Sequence, residues 1–210
     1  MLNLGVMPNN PTDRINASLN AEYNITIKLK ISVNSNYMGQ YSPNKTSSNS
    51  DVIEELTMDF LTRFQSVKEM KNVWKNGYEG QYQNAPHYNP DGTPMVNNPY
   101  MYVYSEINTD RKDNFFGKAQ IDWEIIKPLK LMVRTGIDYN GDNYEYKKAK
   151  DFSGKDNRDG RYTVSQGNGL NVQNDLMLIW NKEFGKFSTS ATAGYNYSYG
   201  NSYSYNADAS

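Results

Sequence analysis

FFGKAQIDW, EIIKP and LKLMVRTGIDY, which together make residues 115–139, decide how the rest of the chain is read. In the first piece Phe115, Gly117, Ala119, Ile121 and Trp123 alternate with Phe116, Lys118, Gln120 and Asp122. After EIIKP the alternation resumes: Leu129, Leu131, Val133, Thr135, Ile137 and Tyr139 against Lys130, Arg134 and Asp138. A period of two over about ten residues predicts a strand with one apolar and one polar face. Aromatics close each end of the apolar face. The stretch is an antiparallel hairpin.

The same unit occurs twice more. Ile15, Ala17, Leu19, Ala21 and Tyr23 alternate with Arg14, Asn16, Ser18, Asn20 and Glu22; after NITIK come Leu29, Ile31, Val33 and Tyr37. Towards the C-terminus Val172, Leu176, Leu178 and Trp180 lead through NKEFGK into Phe187, Thr189, Ala191, Ala193, Tyr195 and Tyr197. Tyr23, Trp123 and Trp180 hold equivalent places, six or seven residues before Leu29, Leu129 and Phe187 restart the pattern. The layout predicts a repeated β-meander with hairpins at 14–38, 115–139 and 171–199. Met177 and Ile179 fall on the polar phase and break its regularity.

Connections within hairpins are short, whereas those between them, 39–113 and 140–170, are long. Structureless loops of that length are uncommon in compact domains. The first contains a helical pattern over 51–75, with Ile53, Leu56, Phe60, Phe64, Val67, Met70 and Trp74 every three or four residues. Asp51 and Glu54 suit its start and Asn76-Gly77 its stop. Transmembrane β-barrels alternate short turns with long outer loops in this manner. A ten-residue strand at roughly 3.3 Å per residue, tilted about 45°, rises about 24 Å, close to the roughly 25 Å apolar band of such barrels. The expected fold is therefore all-β: an antiparallel up-and-down meander forming part of a large transmembrane β-barrel, with a helix in a long extracellular loop. Tyr23, Trp123 and Trp180 would mark one membrane boundary; Tyr37, Tyr139 and Tyr195 or Tyr197 the other. Six strands leave two open edges, and unpaired backbone groups in lipid cost several kcal/mol each. The chain is thus expected to be part of a longer protein. The competing expectation is a soluble or surface-attached carbohydrate-binding sheet covered by the 51–75 helix.

Composition narrows the chemistry. A net charge of −1 over 210 residues gives no field for nucleic acid. With no cysteine and one histidine, His87, there is neither a thiolate site nor an ordinary Ser-His-Asp centre. Mean hydropathy is −0.84 and no apolar run approaches a transmembrane helix. Met1 is not followed by a basic and then an apolar segment, so no signal peptide is read. Tyrosine, at 18 residues against 7 Phe and 3 Trp, suits a membrane–water boundary or a sugar-binding surface.

Several segments resemble the barrel of SusC/RagA-type TonB-dependent outer-membrane transporters. They are Arg14-x-Asn16 opening a strand, IKPLKL at 126–131, GIDY at 136–139, NKEFG at 181–185, AGY at 193–195, and the loop motif YNPDGTP at 88–94. The resemblance implies a 22-stranded barrel and a plug, a SusD-like surface lipoprotein, and TonB-powered import of glycans or other oligomers across the outer membrane of a Gram-negative bacterium. It implies a transporter and not an enzyme.

No group of residues reads as catalytic. Asp51, Glu54, Glu55 and Asp59 suit a solvated helix start. Lys155 and Gln166 occupy positions where a calcium loop needs carboxylates, so no cofactor is expected; Ca²⁺ held by loop carboxylates is the weaker option. The candidate contact residues are loop aromatics: Trp74, Tyr78, Tyr82, Tyr88, Tyr100, Tyr102 and Tyr104, for sugar stacking, a partner, or packing of the loop itself. Arg14, Glu22, Lys118, Asp122, Arg134 and Asp138 read as inner-wall residues.

Overall fold

The computed structural model describes residues 2–3, 9–45, 66–153 and 159–209. In chain order come β1 (Leu2–Asn3), β2 (Thr12–Thr26), β3 (Leu29–Ser42) and a single helical turn, α1 (Val67–Met70). Then follow β4 (His87–Tyr88), β5 (Pro94–Val96), α2 (Met101–Tyr104), β6 (Glu106–Ile126), β7 (Leu129–Lys148), β8 (Arg161–Phe184) and β9 (Phe187–Ala209). All strands but β4 and β5 form one antiparallel sheet, in the order β1-β2-β3-β6-β7-β8-β9. The three expected hairpins are β2–β3, β6–β7 and β8–β9.

Each hairpin closes in two residues, as Thr26 pairs with Leu29, Ile126 with Leu129 and Phe184 with Phe187. In the first two, the register shifts between Asn24 and Thr26 and between Glu124 and Ile126, leaving Ile25 and Ile125 as the bulged residues. The third turn uses Gly185 at φ +60°, which a side chain would resist. Neighbouring hairpins are joined at equivalent points. The Glu124 N–H donates to the Lys28 carbonyl at 2.7 Å, and the Asn181 N–H to the Pro128 carbonyl at 2.8 Å. Both donors directly follow the boundary aromatics, Trp123 and Trp180. The sequence repeat is therefore a structural repeat.

The strands run further than the alternation indicated. β6 begins at Glu106, β7 reaches Lys148, β8 starts at Arg161, and the lengths range from 14 to 24 residues in the six long strands. The long connections shrink accordingly to 43–105 and 149–160, against the expected 39–113 and 140–170. The cause lies in sequences such as EINTDRKDN, residues 106–114, polar on both phases but for Ile107. The ladder persists where no period-two contrast marks it.

The 51–75 helix is corrected at its C-terminal end; residues 51–65 lie outside the described ones. Among the described residues of that segment only Val67–Met70 is helical, and Trp74 instead bridges Gln83. The Asn84 N–H donates to Val73 O at 2.7 Å and the Lys75 N–H to Tyr82 O at 3.0 Å. A hairpin-like return competes for the groups a continuing helix would have used, and burial of Met70 and Val73 favours it.

The described residues place almost all burial at the loop end. Val73, Met101 and Phe152 form a cluster there, with Trp74, Tyr100, Tyr102 and Ala149 against it. In the long strands of the sheet, Met132 is the one buried hydrophobic residue among those described. Ile121 and Leu178 remain about two-fifths exposed, uncovered by any described element.

Candidate functional site

Direct cross-strand partners project from the same face of an antiparallel sheet, so the register sorts the side chains. One face carries rows such as Tyr23–Ile31–Ile121–Val133–Leu176–Tyr195. The opposite face carries Glu22–Ser32–Gln120–Arg134–Asp175–Asn196. The separation is nearly complete below the loop end.

The boundary aromatics obey a simple rule. Tyr23 pairs with Ile31, while Trp123 pairs with Leu29, two residues nearer the turn on β3. Trp123 in turn shares a row with Leu131, while Trp180 pairs with Leu129, again two residues nearer the turn on β7. The line through the three aromatics thus crosses the hydrogen-bonded rows diagonally, by one residue per strand. At the other end Tyr37, Phe115 and Tyr139 occupy a single row.

On the polar face the wall bonds to itself. Arg134 Nε donates to Asp175 Oδ2 at 2.7 Å, and Asn196 Nδ2 to Asp175 Oδ1 at 2.5 Å. Lys30 pairs with Glu22 at 2.6 Å, and Arg14 donates to Gln40 at 2.6 Å. Gln120 donates to Asp122 at 2.9 Å. The off-phase Met177 stands opposite the buried Met132 and would touch a side chain placed at Gly194, so it joins a small apolar patch near the turn end.

At the loop end a polar network ties two connections into one cap. Fully buried Gln83 donates its backbone N–H to Asp151 Oδ2 at 2.7 Å and its side-chain amide to Asn97 Oδ1 at 3.0 Å and to the Asp151 carbonyl. Its Oε1 accepts the Asn98 N–H at 2.7 Å. Asn98, also fully buried, donates to the carbonyls of Met70 at 2.8 Å and Asn84 at 2.9 Å. Asn97 accepts the Ser153 N–H at 2.6 Å. Asp151 holds φ +68°, a conformation disfavoured for a residue with a side chain and sustained here by these bonds. Gln83, Asn97, Asn98 and Asp151 gave no sequence signal beyond an asparagine-rich loop.

The candidate aromatics divide by position. Trp74, Tyr100 and Tyr102 pack on the apolar cluster; Tyr102 meets Phe152 edge-on at 5.4 Å and its hydroxyl accepts from Asn97 at 2.7 Å. The Tyr88 hydroxyl donates to Gln83 O at 2.7 Å and accepts the Ala85 N–H at 2.8 Å, with Lys75 over its ring at 4.1 Å. Tyr78 and Tyr82 form an edge-to-face pair at 5.5 Å, and both are about half exposed. Beside them Glu79 accepts backbone N–H bonds from its own residue and from Gly77, which hold its carboxyl below the usual range. Tyr104 stacks on Tyr100 at 6.2 Å with its outer face open. Most of the Lys155–Gly160 calcium-loop candidate lies outside the described residues. No group of three or more potential metal ligands occurs among the described ones. No described helix is long and apolar enough to cross a membrane.

A diagonal aromatic line on an apolar face, a polar opposite face and a meander that no described element covers together have the architecture of a segment of β-barrel wall. No family model and no curated protein matches the chain. Solved structures do. The structure of the RagAB peptide transporter has a chain that superposes with a TM-score of 0.63 at 12% identity, covering 95% of this chain and 22% of its own. A second, the RagAB peptide importer in its closed-closed state, gives 0.64 at 13% identity with the same coverage. At this identity the likeness is one of fold, and the chain spans about a fifth of those chains' length.

Proposed function

We propose that the chain supplies wall and extracellular loops to a SusC/RagA-type, TonB-dependent importer in the outer membrane of a Gram-negative bacterium, taking up oligomeric nutrients. The diagonal of Tyr23, Trp123 and Trp180 carries this reading. One residue per strand is about 3.3 Å along for about 4.8 Å across, an angle of roughly 35°. Barrel strands tilt by about 35–45°. The diagonal becomes level once the strands are so tilted, as a girdle at one water boundary must be. On β7 that level falls between Leu129 and Leu131, and Tyr139 marks the other boundary. The nine or so residues between them rise about 24 Å, close to the roughly 25 Å apolar band. On β9, Tyr195 shares a row with Val133 in mid-band, so Tyr197 and Tyr199 suit the upper boundary better.

Under this placement the two-residue turns face the periplasm and the cap faces outward. Tyr78, Tyr82 and Tyr104 are the aromatics free to meet a SusD-like lipoprotein or the cargo. Peptides, the cargo named for the RagAB structures, and glycans both offer the flat and hydrogen-bonding surfaces these side chains suit. Energy from TonB would enter through parts of the protein outside this chain. Fractionation of cells that make the whole protein tests the placement: it should sediment with the outer membrane and need detergent for release. Recovery in the soluble fraction would contradict it and favour a soluble sugar-binding sheet.

A further inference from the structure

Outside the cap, a cavity of about 460 Å³ opens on the apolar face where its character changes. Its floor is Gly39, which stands between Ile15 and Asp113 in one cross-strand row. A side chain at Gly39 would come within 2.8 Å of the Tyr37 hydroxyl. Tyr37 lies along this floor and donates to Asp113 Oδ1 at 2.6 Å, forming the lower lip. In the next row towards the loop end Tyr41 stands between Asp13 and Arg111. Arg111 gives its Nε to Asp113 Oδ2 at 3.1 Å, and its side chain is still 62% exposed.

We infer that this cradle of Tyr37, Gly39, Tyr41, Asp13 and Arg111 holds the saccharide headgroup of a membrane glycolipid. The inference rests on the membrane placement proposed above, because only then does the cradle sit at the outer water boundary. Tyr41 offers a flat ring for the apolar face of a sugar, with a carboxylate acceptor on one side and a guanidinium donor on the other. Ile15 lies below, where acyl chains begin. Two carboxylates, Asp13 and Asp113, line the cradle with one guanidinium, which Asp113 already engages, so the local charge disfavours a phosphate headgroup. A sugar, neutral and rich in hydroxyls, fits both signs. Further along the same face, Asn168 and Gln166 on β8 pair with Tyr203 and Tyr205 on β9, extending the polar aromatic surface above the band.

The protein purified in detergent from the outer membrane tests the inference by native mass spectrometry after exposure to digalactosyl diacylglycerol or phosphatidylglycerol. Retention of the glycolipid should exceed that of phosphatidylglycerol by about tenfold. Gly39→Val, which fills the floor, and Tyr41→Ala should each lower that preference at least fivefold while the protein keeps the heat-sensitive gel mobility of a folded barrel. Equal retention of the two lipids, a preference for phosphatidylglycerol, or a preference untouched by both variants would overturn it. So would equally tight binding of free digalactose, because the site is assigned to a lipid-borne sugar. Failure of the unmodified protein to behave as a folded barrel would instead contradict the membrane placement.

Discussion

The sheet and its cap belong to one chain yet are built for different surroundings. In the cap, Met101, Val103 and Phe152 are at most 1% exposed, and the buried amides of Gln83 and Asn98 are bonded on both their donor and acceptor sides. In the sheet, Val133, Leu176 and Leu178 leave between 39% and 47% of their surface open, and neighbouring strands are joined by backbone ladders. A protein interior is assembled in the first region. In the second, the apolar side chains are left open by every described element of the chain. The difference teaches that exposure here follows from design of the pattern, since the same chain buries aromatics efficiently a few residues away.

The largest expected effect falls in the cap. Phe152→Ala should cost about 3–5 kcal/mol of local stability. Hydrogen exchange should show the segments around Val73, Asn98 and Met101 opening together, while gel mobility still reports a folded wall. Loss of the wall as well would erase the distinction between the regions. Next, Val133→Lys or Leu176→Arg, in mid-band, should weaken insertion into lipid vesicles by about 2–4 kcal/mol. Their polar-face neighbour Gln120→Lys should have little effect in the same folding titration. Equal effects on the two faces would break the contrast.

Gln83→Ala removes the partner of the Asn98 N–H and should loosen the cap by about 1–3 kcal/mol, the cost of buried groups left unpaired. Faster proteolysis of the cap, with normal insertion, is the expected readout. The smallest effect sharpens depth rather than sidedness. Leu131 and Leu178 share the row of Trp123, at the turn-end boundary. Leu131→Lys and Leu178→Arg should therefore cost only about 0–1 kcal/mol, less than the mid-band variants. A cost equal to that of Val133→Lys would mean the band lies lower than the aromatics indicate.

Much of the wall was legible because a strand with one apolar and one polar face writes that contrast into every second residue. The three hairpins, their faces and the place of Tyr23, Trp123 and Trp180 follow from that rule. Where both phases are polar, as at 108–114, the same backbone ladder leaves no mark, and the strands were expected to stop too near the turns. The cap was opaque for another reason. Helical spacing through Met70 and Trp74 was real, yet the returning segment offered better partners, Asn84 to Val73 and Gln83 to Trp74, with Gln83 itself held by distant Asp151. A single Asn or Gln in a loop gives no hint of which distant carbonyl it will reach. For the candidate contacts, sequence supplied seven aromatics, and only packing separates Tyr78, Tyr82 and Tyr104 from those that hold the cap together.

Sidedness can be measured directly, because this chain contains no cysteine, and any cysteine in the rest of the whole protein would first be replaced by serine. A bimane label would be placed singly at Val133 or Leu176 on one face and at Gln120 or Asn196 on the other, with the whole protein in vesicles. Nitroxide-bearing lipids should strongly quench the first pair and leave the second pair near its unquenched level, with soluble iodide doing the reverse. Equal quenching of both pairs by the lipid probe, or stronger quenching at Gln120 and Asn196, would contradict the account.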